Sequence, residues 1–129
     1  MGKTVTIITK LTSGSVHDAV SRLTELIAER GMKLFALIDH AAEARTVGLE
    51  LRDTVVVLFG SPAGGTPIMV AAPTAALDLP LRILVWDDDG QTKITYVDPV
   101  ELAARYDLNP ELAGRLAGIH ALADAMAST

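Results

Sequence analysis

The sequence predicts an α+β domain, with a curved, mixed or mostly antiparallel sheet of about five strands and helices packed on one face. Three observations lead there. Apolar, β-branched runs alternate with stretches of helical apolar spacing in the order β-α-β-α-β-α-β-β-α-α. "LRILVWDDDGQTKITYV" reads as a hairpin, two runs flanking Asp-Asp-Asp-Gly. The hairpin and the short connections favour antiparallel neighbours over an all-parallel sheet with long crossovers.

Residues 4–11, "TVTIITKL", form the first predicted strand through their β-branched, alternating pattern. In "SGSVHDAVSRLTELIAERG", Val16, Ala19, Val20, Leu23, Leu26 and Ile27 make one helical stripe. Ser15 with Asp18 is a capping box for that helix, and Gly31 ends it in the left-handed conformation. "MKLFALI" is the second strand, and "AAEARTVG" a short helix ending at Gly48. "TVVVLFG" is an unbroken apolar run, which predicts a central strand covered on both faces. "SPAGGTP" reads as a glycine-rich loop and "IMVAA" as a short helix stopped by Pro73, after which Thr74 starts another turn. Asp98 with Glu101 predicts a second capping box, with Pro99 at the first helical position. Asn109-Pro110 opens a last helix, about 110–127, with the stripe Leu112, Leu116, Ile119, Leu122, Ala123 and Met126.

At 129 residues, with no repeat, low-complexity segment or linker, the chain reads as one domain, 1–129. That length buries roughly two-thirds of the unfolded surface. With one Trp, two Tyr and two Phe, the core must be built from Leu, Val, Ile and Ala. A formal charge of −5 without a Lys/Arg cluster argues against nucleic acid as a partner. The absence of cysteine excludes disulfides, thiolate metal sites and cysteine nucleophiles. "MGKTVTIITKL" has no apolar signal region, and "TPIMVAAPTAAL" is short and broken by Pro67 and Pro73, so neither secretion nor a membrane span is expected. Met-Gly-Lys-Thr-Val-Thr matches a lipidation pattern, but is read as the approach to the first strand. A cytoplasmic, soluble protein is the expectation.

Candidate sites are few. Asp39 and His40 stand where a strand ends and a helix begins. Asp39 is a plausible N-cap. His40 would then be a polar boundary residue, or a neutral imidazole fit to ligate a metal or haem iron. In "GSPAGGTPIM", Gly60 and Gly65 have the spacing of a phosphate-binding loop, but Thr66 stands where its lysine is required, so a nucleotide loop is rejected. The remaining reading has Thr66 as N-cap and Pro67 at the first helical position, with open N–H groups beside Gly65. Met69 is either core packing, a soft pocket wall or a weak iron ligand. Trp86 and Tyr96 either pack beneath the helices or floor a pocket. His17 and His120 lie beside the apolar stripes and read as solvated, and no His-x-x-x-His pair exists. Asp87–Gly90 is a turn rather than a calcium loop, because its glycine is misplaced and the closing Glu is missing. Gly114 and Gly118 would permit close helix approach, and no Gly-x-Ser-x-Gly elbow is present.

"FALIDHAAEA", "GLELRDTVVVLFGSPAGGTPIM", "AAPTAALDLPLRILVWDD" and "YVDPVELAARYDL" resemble domain-of-unknown-function family 302, over about residues 15–108. The resemblance implies a small bacterial or archaeal α+β domain, a curved sheet backed by helices, a tendency to pair as homodimers, and no established reaction. The sequence departs from the family at Ser61 and Ala63, where Asn and Lys are frequent, so the loop lacks a side-chain charge for an anion.

Two functional classes stay open. One is a homodimeric module holding a largely apolar small molecule near Asp39, His40, Gly65, Thr66, Met69, Trp86 and Tyr96, with haem as one version and His40 its metal ligand. The other is an enzyme using Asp39 and His40 as general acid and base. No cofactor is named by the sequence. The sharpest expectation is that His40, Thr66 and Met69 share one pocket, at strand ends adjoining helix starts.

Overall fold

The computed structural model describes residues 6–127, so the Met-Gly motif and the start of the first predicted strand lie outside the described residues. The strands are β1 (Ile7–Leu11), β2 (Lys33–Asp39), β3 (Thr54–Gly60), β4 (Leu81–Asp88) and β5 (Gln91–Val97). They form one five-stranded sheet in the order β1-β5-β4-β3-β2, antiparallel throughout. The helices are α1 (Val16–Glu29), α2 (His40–Thr46), α3 (Pro62–Ala71), α4 (Pro99–Arg105), α5 (Pro110–Leu116) and α6 (Gly118–Met126). A 3-10 turn occupies Pro73–Leu77.

Local sequence explains the boundaries. Ser15 and Asp18 form the capping box of α1. Gly31 leaves that helix at φ 72°, while the Met32 N–H donates to the Ile27 carbonyl and the Gly31 N–H to that of Ala28. Gly48, at φ 77°, closes α2 in the same manner. Asp89 and Gly90 both take positive φ, the geometry of a tight hairpin turn between β4 and β5. At α4 the box is only half made. Asp98 accepts from the Val100 N–H, but the Glu101 carboxylate turns away to pair with Arg105 at 2.9 Å.

The register sorts the side chains into two faces. Val55 and Val57 stand opposite Val85 and Ile83, and Val85 stands opposite Ile94. All five are buried beneath α1 and α6, together with Leu23, Ile27, Leu122 and Ala123. Burying each Leu or Ile stabilises the fold by about 1.5–3 kcal/mol relative to exposure. On the opposite face, Val56, Leu58, Leu84 and Trp86 are only half-buried. The expectation that β3 is covered on both faces is therefore corrected. β3 lies one strand from the β2 edge, and the main core covers one side of its apolar run, leaving Val56 and Leu58 half-buried on the other.

The last predicted helix is two helices. Between α5 and α6 the axis breaks at Ala117, and the single apolar stripe divides. Leu112 and Leu116 join a second cluster with Ile68, Ala75 and Leu102, whereas Ile119, Leu122, Ala123 and Met126 enter the main core.

Candidate functional site

A cavity of about 340 Å³ lies at the Gly60 end of β3. It sits where the two apolar clusters meet, with Phe59 and Ile119 from one and Ile68 and Leu116 from the other. Met32 and Phe35 border it on the β2 side, and Met69 and Leu79 complete an apolar wall. Gly60, Gly64, Gly65 and Gly118 also line it. A Cβ added at Gly118 would meet no atom within 4 Å, and one at Gly65 would come only to 3.9 Å from Met69 Cε. Among the described lining residues Arg115 alone is charged.

The loop beside the cavity folds differently from its sequence reading. Helix α3 starts at Pro62 with Ser61 as N-cap, and Ser61 Oγ accepts the Gly64 N–H at 3.1 Å. Thr66 is therefore not the cap. It lies inside the helix, exposed, and its hydroxyl donates back to the Pro62 carbonyl at 2.6 Å. Ser61-Pro62 and Thr66-Pro67 carry the same cap-then-proline signal. The earlier one prevails because the Gly64 and Gly65 N–H groups close onto the Ser61 carbonyl at 3.0 and 2.8 Å. Pro67 then sits within the helix, at the cost of one backbone donor.

Gly65 and Met69 line the cavity, but the other expected site residues do not. In the antiparallel β2–β3 pair, Lys33 is opposite Gly60 and Asp39 opposite Val55. Val55 lies five residues from Gly60 along β3, which puts Asp39 and His40 about 17 Å from the Gly60 end. His40 and Met69 thus sit at opposite ends of the sheet, so they cannot both ligate one haem within a single subunit. Asp39 caps α2, accepting the Ala42 N–H at 2.9 Å, while His40 is exposed. Among the described residues no hydrogen bond joins Asp39 to His40, as an acid–base pair would need, and no His/Asp/Glu cluster of three could hold a metal ion. Trp86 is on the half-open face, opposite Lys93, with its indole N–H donating to Thr95 Oγ1 at 2.9 Å. Tyr96 points the other way, into the core. The two aromatics stand on opposite faces and floor no common pocket.

Sequence reasoning missed two arrangements. Arg115 and Gly118 reach the cavity only because the chain turns at Ala117, a bend with no proline to announce it. His120, read as solvated, is hydrogen-bonded at Nδ1 to the Tyr96 hydroxyl at 2.8 Å, and its Nε2 is 4.0 Å from Asp98 Oδ1. Burial pushes the Tyr96 phenol above its ordinary pKa, with Asp124 and Asp98 adding and Lys10 opposing.

The family model for "Domain of unknown function DUF302" matches residues 8–127. The chain belongs to the DUF302 family. A DUF302 protein from Bacillus stearothermophilus has a crystal structure similar over 95% of this chain and 96% of that one, with a TM-score of 0.82 and 19% identity. The fold is thus shared with another family member. Among curated proteins, the fluoride-specific ion channel FluC 1 of Brucella suis biovar 1 (strain 1330) is 37% identical over 103 residues, covering 79% of this chain and 41% of that protein. FluC 2 of Brucella melitensis biotype 1 matches at 37% identity over 79% of this chain and 38% of its own length. This DUF302 chain spans about two-fifths of the length of those relatives. Among its described residues no helix is long and apolar enough to cross a membrane.

Proposed function

We propose that this DUF302 domain is a small-ligand-binding module whose site is the apolar cavity between β3, α3 and the α5–α6 bend. The observation that carries the reading is the cavity itself. About 340 Å³ falls within the range of small-molecule sites, which run from about 300 to 1,000 Å³. Allowing about 30 Å³ per water-sized group, it has room for about ten such groups. Its walls are apolar and its polar groups few, the composition usual for such sites. The ligand is then small and mostly apolar, and the module works as a homodimer. Native mass spectrometry of purified protein tests this. A co-purifying small molecule is expected in the wild type and not in Gly118→Leu, which puts a bulky side chain at a lining position. Equal occupancy of both proteins would refute the reading.

A second reading concerns the whole protein. The Brucella relatives are named as fluoride channels, yet the part shared with them corresponds to a domain without a membrane-crossing helix among its described residues. We infer that the shared segment accompanies such a channel rather than forming its pore. Deleting that segment from the Brucella suis protein should leave fluoride conductance in vesicles intact, and loss of conductance would contradict the inference.

A further inference from the structure

The geometry points to an amphiphilic anion as the ligand of the cavity, with Arg115 receiving its charged head; this deepens the cavity reading and rests on it. The chain has 16 acidic and 11 basic residues, yet none of the described residues lining the cavity is acidic and one is basic. Several other cations are paired, although Arg30, Lys33, Arg45 and Arg82, like Arg115, form no salt bridge among the described residues. Arg105 binds Asp78 and Glu101, Lys10 binds Asp124, and Lys93 binds Asp88. Arg115 forms no salt bridge among the described residues, and it is exposed at the last turn of α5.

A guanidinium in that position offers five fixed donors, a fork that matches a carboxylate, sulfate or phosphate. Its stem can follow the apolar wall while the head remains in water. A second cation stands nearby. Lys33 Nζ lies 5.3 Å from the ring centroid of Phe35, itself a lining residue. Residues 60–65, the end of β3 and the start of α3, contribute no charge, so head-group selection falls to Arg115. The tail would lie against the lining residues Gly65, Met69, Gly118 and Ile119.

Decanoate and decan-1-ol share a chain length and differ in charge, so they separate head recognition from cavity filling. Isothermal titration at low salt and pH 7 should give decanoate about two- to fivefold tighter binding than decanol, the discrimination expected of an exposed ion pair. Arg115→Gln should remove that preference and leave decanol unchanged. Gly118→Leu should abolish both. Equal binding of the two probes by the wild type, or an unchanged preference in Arg115→Gln, would overturn the inference while leaving the cavity reading standing. Binding of neither probe would overturn both. Arg115 is exposed, so its variant is expected to melt as the wild type does, which a thermal scan verifies.

Discussion

Asp39 and Asp78 show how one type of side chain serves two structural ends. Asp39 holds the first turn of α2 through the Ala42 N–H, and its replacement by Ala should cost about 1 kcal/mol in denaturant melts. His40 is exposed beside it, and His40→Ala should change stability by less than about 0.5 kcal/mol. Asp78 instead joins the 3-10 turn to α4. It accepts from the Tyr106 hydroxyl and from Arg105 Nη1, the latter at 2.8 Å. The Tyr106 hydrogen bond first, and Arg105 next, hold its carboxyl below the ordinary range against the opposing effect of burial. A depressed folded pKa contributes stability that is complete above the unfolded value, about pH 4, and is lost as pH falls through the folded value. Wild type should therefore exceed Asp78→Asn in stability at pH 7, and the gap should shrink below about pH 4. Urea melts at both pH values check this. Caps at Ser15, Asp39 and Asn109 were legible because a cap is decided within four residues. Thr66 was not, because an equivalent signal five residues earlier competes for the same helix.

At the scale of elements, strands and helices were readable wherever a single periodicity ran between clear stops. β3 and α1 have such stops, and α1 is sealed by its box and Gly31. The α5–α6 break was not legible. Its stripe from Leu112 to Met126 keeps helical spacing across Ala117, so the pattern is the same whether the axis is straight or bent. Only packing decides, since the two halves face different clusters. Leu122, fully buried in the main core, should cost about 2–5 kcal/mol when cut to Ala. Val100, 70% exposed on α4, should cost less than about 0.5 kcal/mol for the same change. Gly65 is a mid-helix glycine with ordinary clearance to Met69, so Gly65→Ala should stabilise α3 by about 0.5–1 kcal/mol. Thermal melts rank all three variants.

For the molecule as a whole, strand order was the missing quantity. The sequence marks where β2 and β3 end, but pairing direction decides whether those ends meet. Antiparallel pairing separates them, and the site moves from His40 to the opposite end of the sheet. Leu34, Phe35, Leu37 and Ile38 on edge strand β2 are each 38–48% exposed. An exposed apolar edge invites another chain, and we expect a second copy to cover it. Light scattering should give a dimer for the wild type and a monomer for Leu37→Lys, whereas a wild-type monomer would end that expectation. The location of the site is tested most directly by nuclear magnetic resonance of labelled protein titrated with decanoate. Shifts are expected at the Met69 and Ile119 methyls and the Gly118 amide, with the amides of His40 and Ala42 and the Trp86 indole unmoved. Shifts centred on His40 or Trp86, with Met69 and Ile119 unmoved, would contradict the account.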